Sequence, residues 1–463
     1  MAHGLPIRPP RQPVHCSASA RPHIVTPAAV PAIRPDGLTM TNPHAIPRSA
    51  PARAAESLYQ RHRRFRSARS RKRIDRVVFA PERIRQAELD RIAQLVGPDA
   101  TNPDELRPLL EMLVAARFSQ KHVRTVGDWI TALQIGLALV GVRPGHRVAM
   151  SSYTDFSHVV AVWRLGAIPC FVDIDDANLQ VDPQALRLRF RTRDGGPIHC
   201  LLLHHLGGSP AGVAAAAAIA REHEAAVVEV VWGTMPPRYG NRPAGSVGDV
   251  VCINSRPEGS PNRRSIAFVG TDDDRLAERL AEWLADPASD DWPTAARQFG
   301  ASFDPDTRRP DPLAVTRTVI QLENDDARLP RRQEIAATYN AAFSGFPELG
   351  VPREQASDVH TWNLYPLQLN CNRLPVSRKA FRAALEARGV ETRTHYLPAH
   401  THPALRIVTG EDDPCPVARR TFAREVSLPI HDQMTDEHAA FVVQAVVDVV
   451  CRASLRPETL DVP

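Results

Sequence analysis

Lysine is the scarcest reactive side chain in this sequence: of its 57 Lys and Arg residues, only Lys72, Lys121 and Lys379 are lysine. Chemistry that needs a primary amine therefore has three candidates. Acid–base groups are more plentiful, and Asp155, His205 and His395 could move protons on a small polar substrate. For His205, His360 and His395 the competing reading is a hydrogen-bonded scaffold role, and for the strand-ending pair Asp173 and Asp175 it is a turn and cap. His204 and His205 are not a metal pair, since neighbours on a strand face opposite ways. The seven cysteines (Cys16, Cys170, Cys200, Cys252, Cys371, Cys415, Cys451) show no CxxC spacing, so no metal site is expected and a reducing, cytoplasmic compartment is. Arg242, Arg256, Arg263 and Arg264 gather in one region, where their guanidinium forks could hold a diphosphate or carboxylate. The alternative there is a solvated loop.

The elements that must place these groups sit in a chain of 463 residues, too long for one ordinary core. No run of about 18 apolar residues offers a membrane span. The net charge of +5 is uneven: residues 1–74 carry 14 basic residues against Asp36 and Glu56, leaving the remainder mildly acidic. Residues 1–75 read as a disordered Pro/Arg-rich tail, whose Arg-rich, acid-poor character equally fits a transit peptide or an over-extended start with Met40 the initiator. The Arg61–Arg73 cluster could meet polyanions, but a solvated segment is the better reading, and no specific nucleic acid is expected. A large α/β domain is expected over 76–312. A helical link and small C-terminal α+β domain should fill 313–463.

Helical spacing marks Glu88–Val96, Asp104–Arg117, Trp129–Val140, Phe156–Leu165, Val213–His223 and Arg275–Leu284. Short apolar runs at Val148–Ser152, Pro169–Asp173, Cys200–His204 and Ala226–Val231 read as strands. The alternation implies a mainly parallel sheet covered on both faces. Farther on, a helix is expected over Leu313–Ala342, interrupted at Pro330. Strand-like Asn363–Leu369 and Thr392–Leu397 flank helical Arg378–Arg388, and a last helix spans Asp436–Cys451.

Several ordered segments resemble the sugar aminotransferases of the fold type I pyridoxal-phosphate (PLP) enzymes, the DegT/DnrJ/EryC1/StrS type. They are Gly141–Val148, Leu165–Asp175, His205–Ala211, Gly245–Val250, Arg331–Ala336, His360–Tyr365, Thr394–Pro398 and Val426–His431. The resemblance covers roughly 88 to 452. It implies the fold type I large domain with a smaller C-terminal domain, and a dimer, either with itself or with an active aminotransferase paralogue.

The resemblance also places the cofactor positions, and each is altered. The family lysine that forms the Schiff base falls on Gly259, and the aspartate beside the pyridine nitrogen on Val230. Trp129 and Ile130 stand for the phosphate-binding pair, Asp155 for the stacking aromatic and Asn254 for a phosphate-contacting hydroxyl. Asp128, just before that pair, would repel a phosphate while capping a helix. Trp129, Ile130, Val230 and Trp232 read as side chains filling the vacated cavity, since empty space costs about 24 cal/mol per Å³. No cofactor is therefore expected, and no catalyst is assigned beyond the candidates Asp155, His205 and His395. The reading is a degenerate sugar-aminotransferase-like protein serving as a structural or regulatory partner in sugar or secondary-metabolite biosynthesis. Its rivals are a PLP-independent enzyme on a nucleotide sugar and an unorthodox PLP-binding aminotransferase.

Overall fold

Apolar, β-branched segments such as Ala226–Trp232 are buried on both faces, and they assemble the centre of the molecule. The computed structural model describes residues 74–80, 85–96, 103–192, 195–210, 212–256, 266–285, 310–355, 357–403, 405 and 414–455. All belong to one unit, Ala68–Pro463. Nearly all of the expected tail lies outside the described residues, as do Gly259, Arg263, Arg264 and most of 286–312.

Helices α1 (Gln86–Val96) and α2 (Pro103–Phe118) lead into β1 (His122–Val126) and α3 (Trp129–Leu139). Then come β2 (Arg147–Ser151), α4 (Phe156–Arg164), β3 (Ile168–Val172), α5 (Pro183–Arg191) and β4 (Ile198–His204). After α6 (Val213–Glu222) and β5 (Ala226–Trp232), a small hairpin of β6 (Arg238–Tyr239) and β7 (Arg242–Pro243) precedes β8 (Val250–Asn254), β9 (Ala267–Thr271) and α7 (Asp274–Ala285). The seven-stranded sheet runs β1-β9-β8-β5-β4-β2-β3. The strands from β3 to β8 are parallel, and β9 is antiparallel to both of its neighbours. This is the expected mixed α/β fold with a mostly parallel sheet.

Helix α3 is buried almost all round, and its Gly136 explains how closely it lies on the sheet. A Cβ there would stand 2.4 Å from Cys252 Sγ of β8, so glycine sets the helix–strand distance. At one margin of the sheet, the Ile168 amide of β3 donates inward to His146 O at 2.8 Å. Alternation then puts the ring nitrogen of Pro169 on the open side.

Helix α8 (Pro312–Phe343) runs unbroken through Pro330, where an interruption was expected. Packing outweighs the lost donor: Arg332, Ile335, Ala336, Tyr339 and Phe343 beyond it are all buried. The C-terminal sheet orders β10 (Leu349–Gly350), β12 (Tyr365–Leu369) and β13 (Glu425–Leu428), with β12 central, while β11 (Asp358–Val359) joins the β6–β7 hairpin. Helices α9 (Arg378–Glu386), α10 (Pro416–Arg424) and α11 (Asp436–Leu455) complete this region. A strap at Val77 is laced to it, taking the Gly389 carbonyl at 2.8 Å and offering its own to Glu391 N at 3.0 Å. The expected strand over Thr392–Leu397 does not form; Arg393 makes one isolated bridge to Ser427. Side chains take its polar groups instead, with Arg382 donating to Thr392 O and Glu425 accepting from His395 N.

Candidate active site

A cavity of about 640 Å³ opens where β1, β5 and β8 end, and Asp128, Trp129, Ile130, Asp155, Trp232 and Asn254 wall it, with Arg256 at its side. Two helices begin there. Asp128 leaves β1 with extended backbone and caps α3, its carboxylate accepting from Ile130 N at 2.9 Å and Thr131 N at 3.1 Å. Asp155 caps α4 through Ser157 N at 2.8 Å. Carboxylates thus occupy both helix N-termini, where orphan amides and the helix dipole favour negative charge.

The aromatic wall is held by its own contacts. Trp129 Nε1 donates to Ser157 Oγ at 3.1 Å, and its ring meets Trp232 edge-on, 5.6 Å between centroids. The Arg256 guanidinium lies 5.0 Å over Trp232, a cation–π arrangement. Behind Trp129, Thr154 Oγ1 bonds His158 Nδ1 at 2.6 Å and His204 Nδ1 at 3.1 Å. Burial drives His158 down to about 4 and pushes His204 down as well, so both rings are neutral at pH 7. This buried triad was not singled out in the sequence; its only local sign is the four-residue spacing of Thr154 and His158.

The expected catalytic candidates do not line one shared cavity. Asp155 stands at the cavity. His205 is sealed away, its side chain fully buried and its Nε2 2.8 Å from Glu229. The Glu229 carboxylate also accepts from the amides of Gly245 (2.8 Å), Val247 (2.8 Å) and Gly248 (2.6 Å). Burial works to raise that carboxyl, but the bonds from His205 and the amides outweigh it and hold the group below the usual range. His205 and Glu229 are therefore a structural clasp. His395 lies in a second groove, on the C-terminal sheet. Asp173 proves to be a cap: it accepts from Val417 N and Ala418 N, both at 2.8 Å, at the start of α10. Arg242 serves its own hairpin, donating to Ser246 O.

The expectation of a filled cavity needs correcting. Val230 is buried within the sheet and does not reach the cavity, while Trp129 and Trp232 form walls around open space. Of the lysines, Lys121 pairs with Asp274 at 2.6 Å. It precedes β1, about 20 Å along the strand from Gly127 at the cavity. Lys379 lies on α9, and Lys72 is outside the described residues.

The sequence profile of the DegT/DnrJ/EryC1/StrS aminotransferase family matches residues 84–447. The chain belongs to that family. It is 28% identical over 353 residues to the spore coat polysaccharide biosynthesis protein SpsC of Bacillus subtilis, covering 73% of this chain and 87% of that one. It is also 28% identical over 369 residues to the dTDP-3-amino-3,4,6-trideoxy-alpha-D-glucose transaminase of Streptomyces venezuelae, covering 77% and 89%. The X-ray structure of S. venezuelae DesV in complex with a ketimine intermediate superposes with a TM-score of 0.63 at 26% identity, covering 78% of this chain and 94% of DesV. The family is sugar-aminotransferase-like, with relatives in sugar biosynthesis.

Family membership overturns the expectation of no cofactor. A ketimine is an adduct of aminotransferase chemistry on PLP, so the family and the DesV likeness point to PLP rather than to none. The described wall nonetheless offers PLP poor handholds. The first amides of α3, which would suit a phosphate, are already taken by the Asp128 carboxylate, and no described lining residue carries a primary amine. Those residues do not fit the group.

Among the described residues no cluster of three or more His, Cys, Asp or Glu could hold a metal ion. No described helix is long and apolar enough to cross a membrane.

Proposed function

We propose that this chain is a member of the sugar aminotransferase family that forms no Schiff base through a lysine, and that it serves as a structural or regulatory partner in sugar or secondary-metabolite biosynthesis, paired with an active relative. The observation that carries this reading is the placement of the two lysines among the described residues. Lys121 is tied to Asp274 beyond the far end of β1, Lys379 sits on α9, and the position matched to the family lysine is Gly259. A Schiff base needs a primary amine at bonding distance from the carbonyl. The proposal concerns that covalent step, so any PLP in the cavity would be held without a tether.

The test uses the purified full chain, loaded with PLP, treated with borohydride and read by mass spectrometry. No pyridoxyl-lysine should be found, and one such adduct would end the proposal. The partner role predicts co-purification with a co-expressed family aminotransferase whose activity changes on pairing.

A second reading, an aminotransferase that holds PLP non-covalently, draws support from the cavity of about 640 Å³ that stays open. Colour removed by dialysis, together with amino transfer to a keto nucleotide sugar by this chain alone, would favour it.

A further inference from the structure

A second groove, of about 570 Å³, lies between the loops that follow β3 and β4 and the C-terminal sheet, and Arg353, His360 and His395 line it. Its acids are already engaged. Asp175 accepts from Ala177 N at 2.7 Å, and Asp176 is held by Thr421 and Arg424. The donors are not matched in the same way. His360, 8% exposed, accepts the Trp362 amide on Nδ1 at 2.9 Å, which leaves the ring proton on Nε2. Arg353 is exposed and has no ion pair among the described residues.

His395, 7% exposed, ends a buried chain of hydrogen bonds. Its Nδ1 meets Ser427 Oγ at 2.8 Å, and that hydroxyl meets Glu425 Oε1. With Glu425 protonated, the carboxyl donates to Ser427, Ser427 donates to Nδ1, and His395 carries its proton on Nε2. With Glu425 ionised, every bond reverses and Nε2 becomes an acceptor. We infer that this groove binds a small organic anion, a carboxylate or a phosphate ester, and that the Glu425–Ser427 relay decides whether His395 offers that anion a donor or an acceptor.

The groups around the relay set its working range. Burial pushes Glu425 up to about 8, against Ser427, the His395 amide, Arg378 and Arg382, which pull it down. Tyr153 also faces Glu425 and Arg378. Burial drives His395 down to about 3, with Arg393 and Arg382 lowering it and Asp155 opposing. The ring therefore stays neutral, and its tautomer is what changes.

Calorimetric titration of the full chain with acetate and with methyl phosphate, at pH 7 and pH 9, tests this. Binding should weaken about tenfold between the two pH values, following the fraction of relay in the donor state. Glu425→Gln should keep the pH 7 affinity at both, and His395→Ala should lose most of it. Response to acetate alone identifies a carboxylate site, and to methyl phosphate alone a phosphate-ester site. If neither anion binds, or if Glu425→Gln retains the wild-type pH dependence with an unchanged circular dichroism spectrum, the inference fails. Should that variant not fold, nitrogen NMR of the wild-type His395 ring decides: one tautomer at both pH values overturns the relay.

Discussion

Glu229 shows how one side chain can be read wrongly by position and correctly by its partners. It neighbours Val230, to which the sequence resemblance assigns a cofactor aspartate, yet it turns to the other face of β5. There it collects three backbone amides and His205. Removing a buried, multiply bonded charge typically costs about 3–5 kcal/mol, so Glu229→Ala should lower unfolding stability by that order in a urea titration. The amides that Glu229 binds lie 16 to 19 residues away. Strand alternation gives the face it points to, but only the folded loop shows what waits there. His205 was ambiguous for the same reason, whereas Asp173 could be read as a cap because turn and cap roles follow from residue type.

At the scale of elements, the caps make sharper predictions. Asp128→Ala removes two side-chain bonds from the start of α3, a change worth about 1 kcal/mol of stability. It also frees two amides and deletes a charge, so inorganic phosphate should bind the cavity more tightly in the variant, as titration calorimetry would show. The central elements were legible because β-branched strands buried on both faces alternate with apolar helices closed by Gly141 and Gly166. The exceptions have local causes. Pro330 did not break α8 because the residues past it are anchored in a core that no window around the proline reveals. Thr392–Leu397 carried a strand pattern, but Arg382 and Glu425 claim its backbone groups. Asn254 and Trp129 were read from ordered resemblance and both wall the cavity, while the open space beside the two tryptophans could not be read, because a sequence does not show the angle at which two rings meet.

Across the whole molecule, buried titratable groups should shape stability against pH. His158, held near 4, and His360 and His395, held near 3, are neutral in the fold, and burial is the main cause for each. Unfolded, they would take up protons below their ordinary 6.5, so their contribution is present above that value and is lost as pH falls through the folded ones. Glu425 works oppositely. Raised from 4.5 to about 8, it holds an extra proton in the fold, and its contribution declines as pH rises through that interval. Stability measured by urea unfolding should therefore peak near pH 6.5. Glu425→Gln should flatten the alkaline side and steepen the acid side between pH 4.5 and 6.5. The strap gives a separate check: a Cβ at Gly389, whose φ is +81, would stand 2.2 Å from Asp75 O. Gly389→Ala should loosen the strap and speed proteolysis near Val77.

Pro169 has a consequence beyond the native fold. Because its missing hydrogen faces outward from the margin at β3, a stray strand from another molecule finds a gap in the ladder it would need to extend. Crowded or heated samples should resist fibril-like growth from that side, and Pro169→Ala, which restores the donor, should aggregate sooner on warming, as light scattering would record.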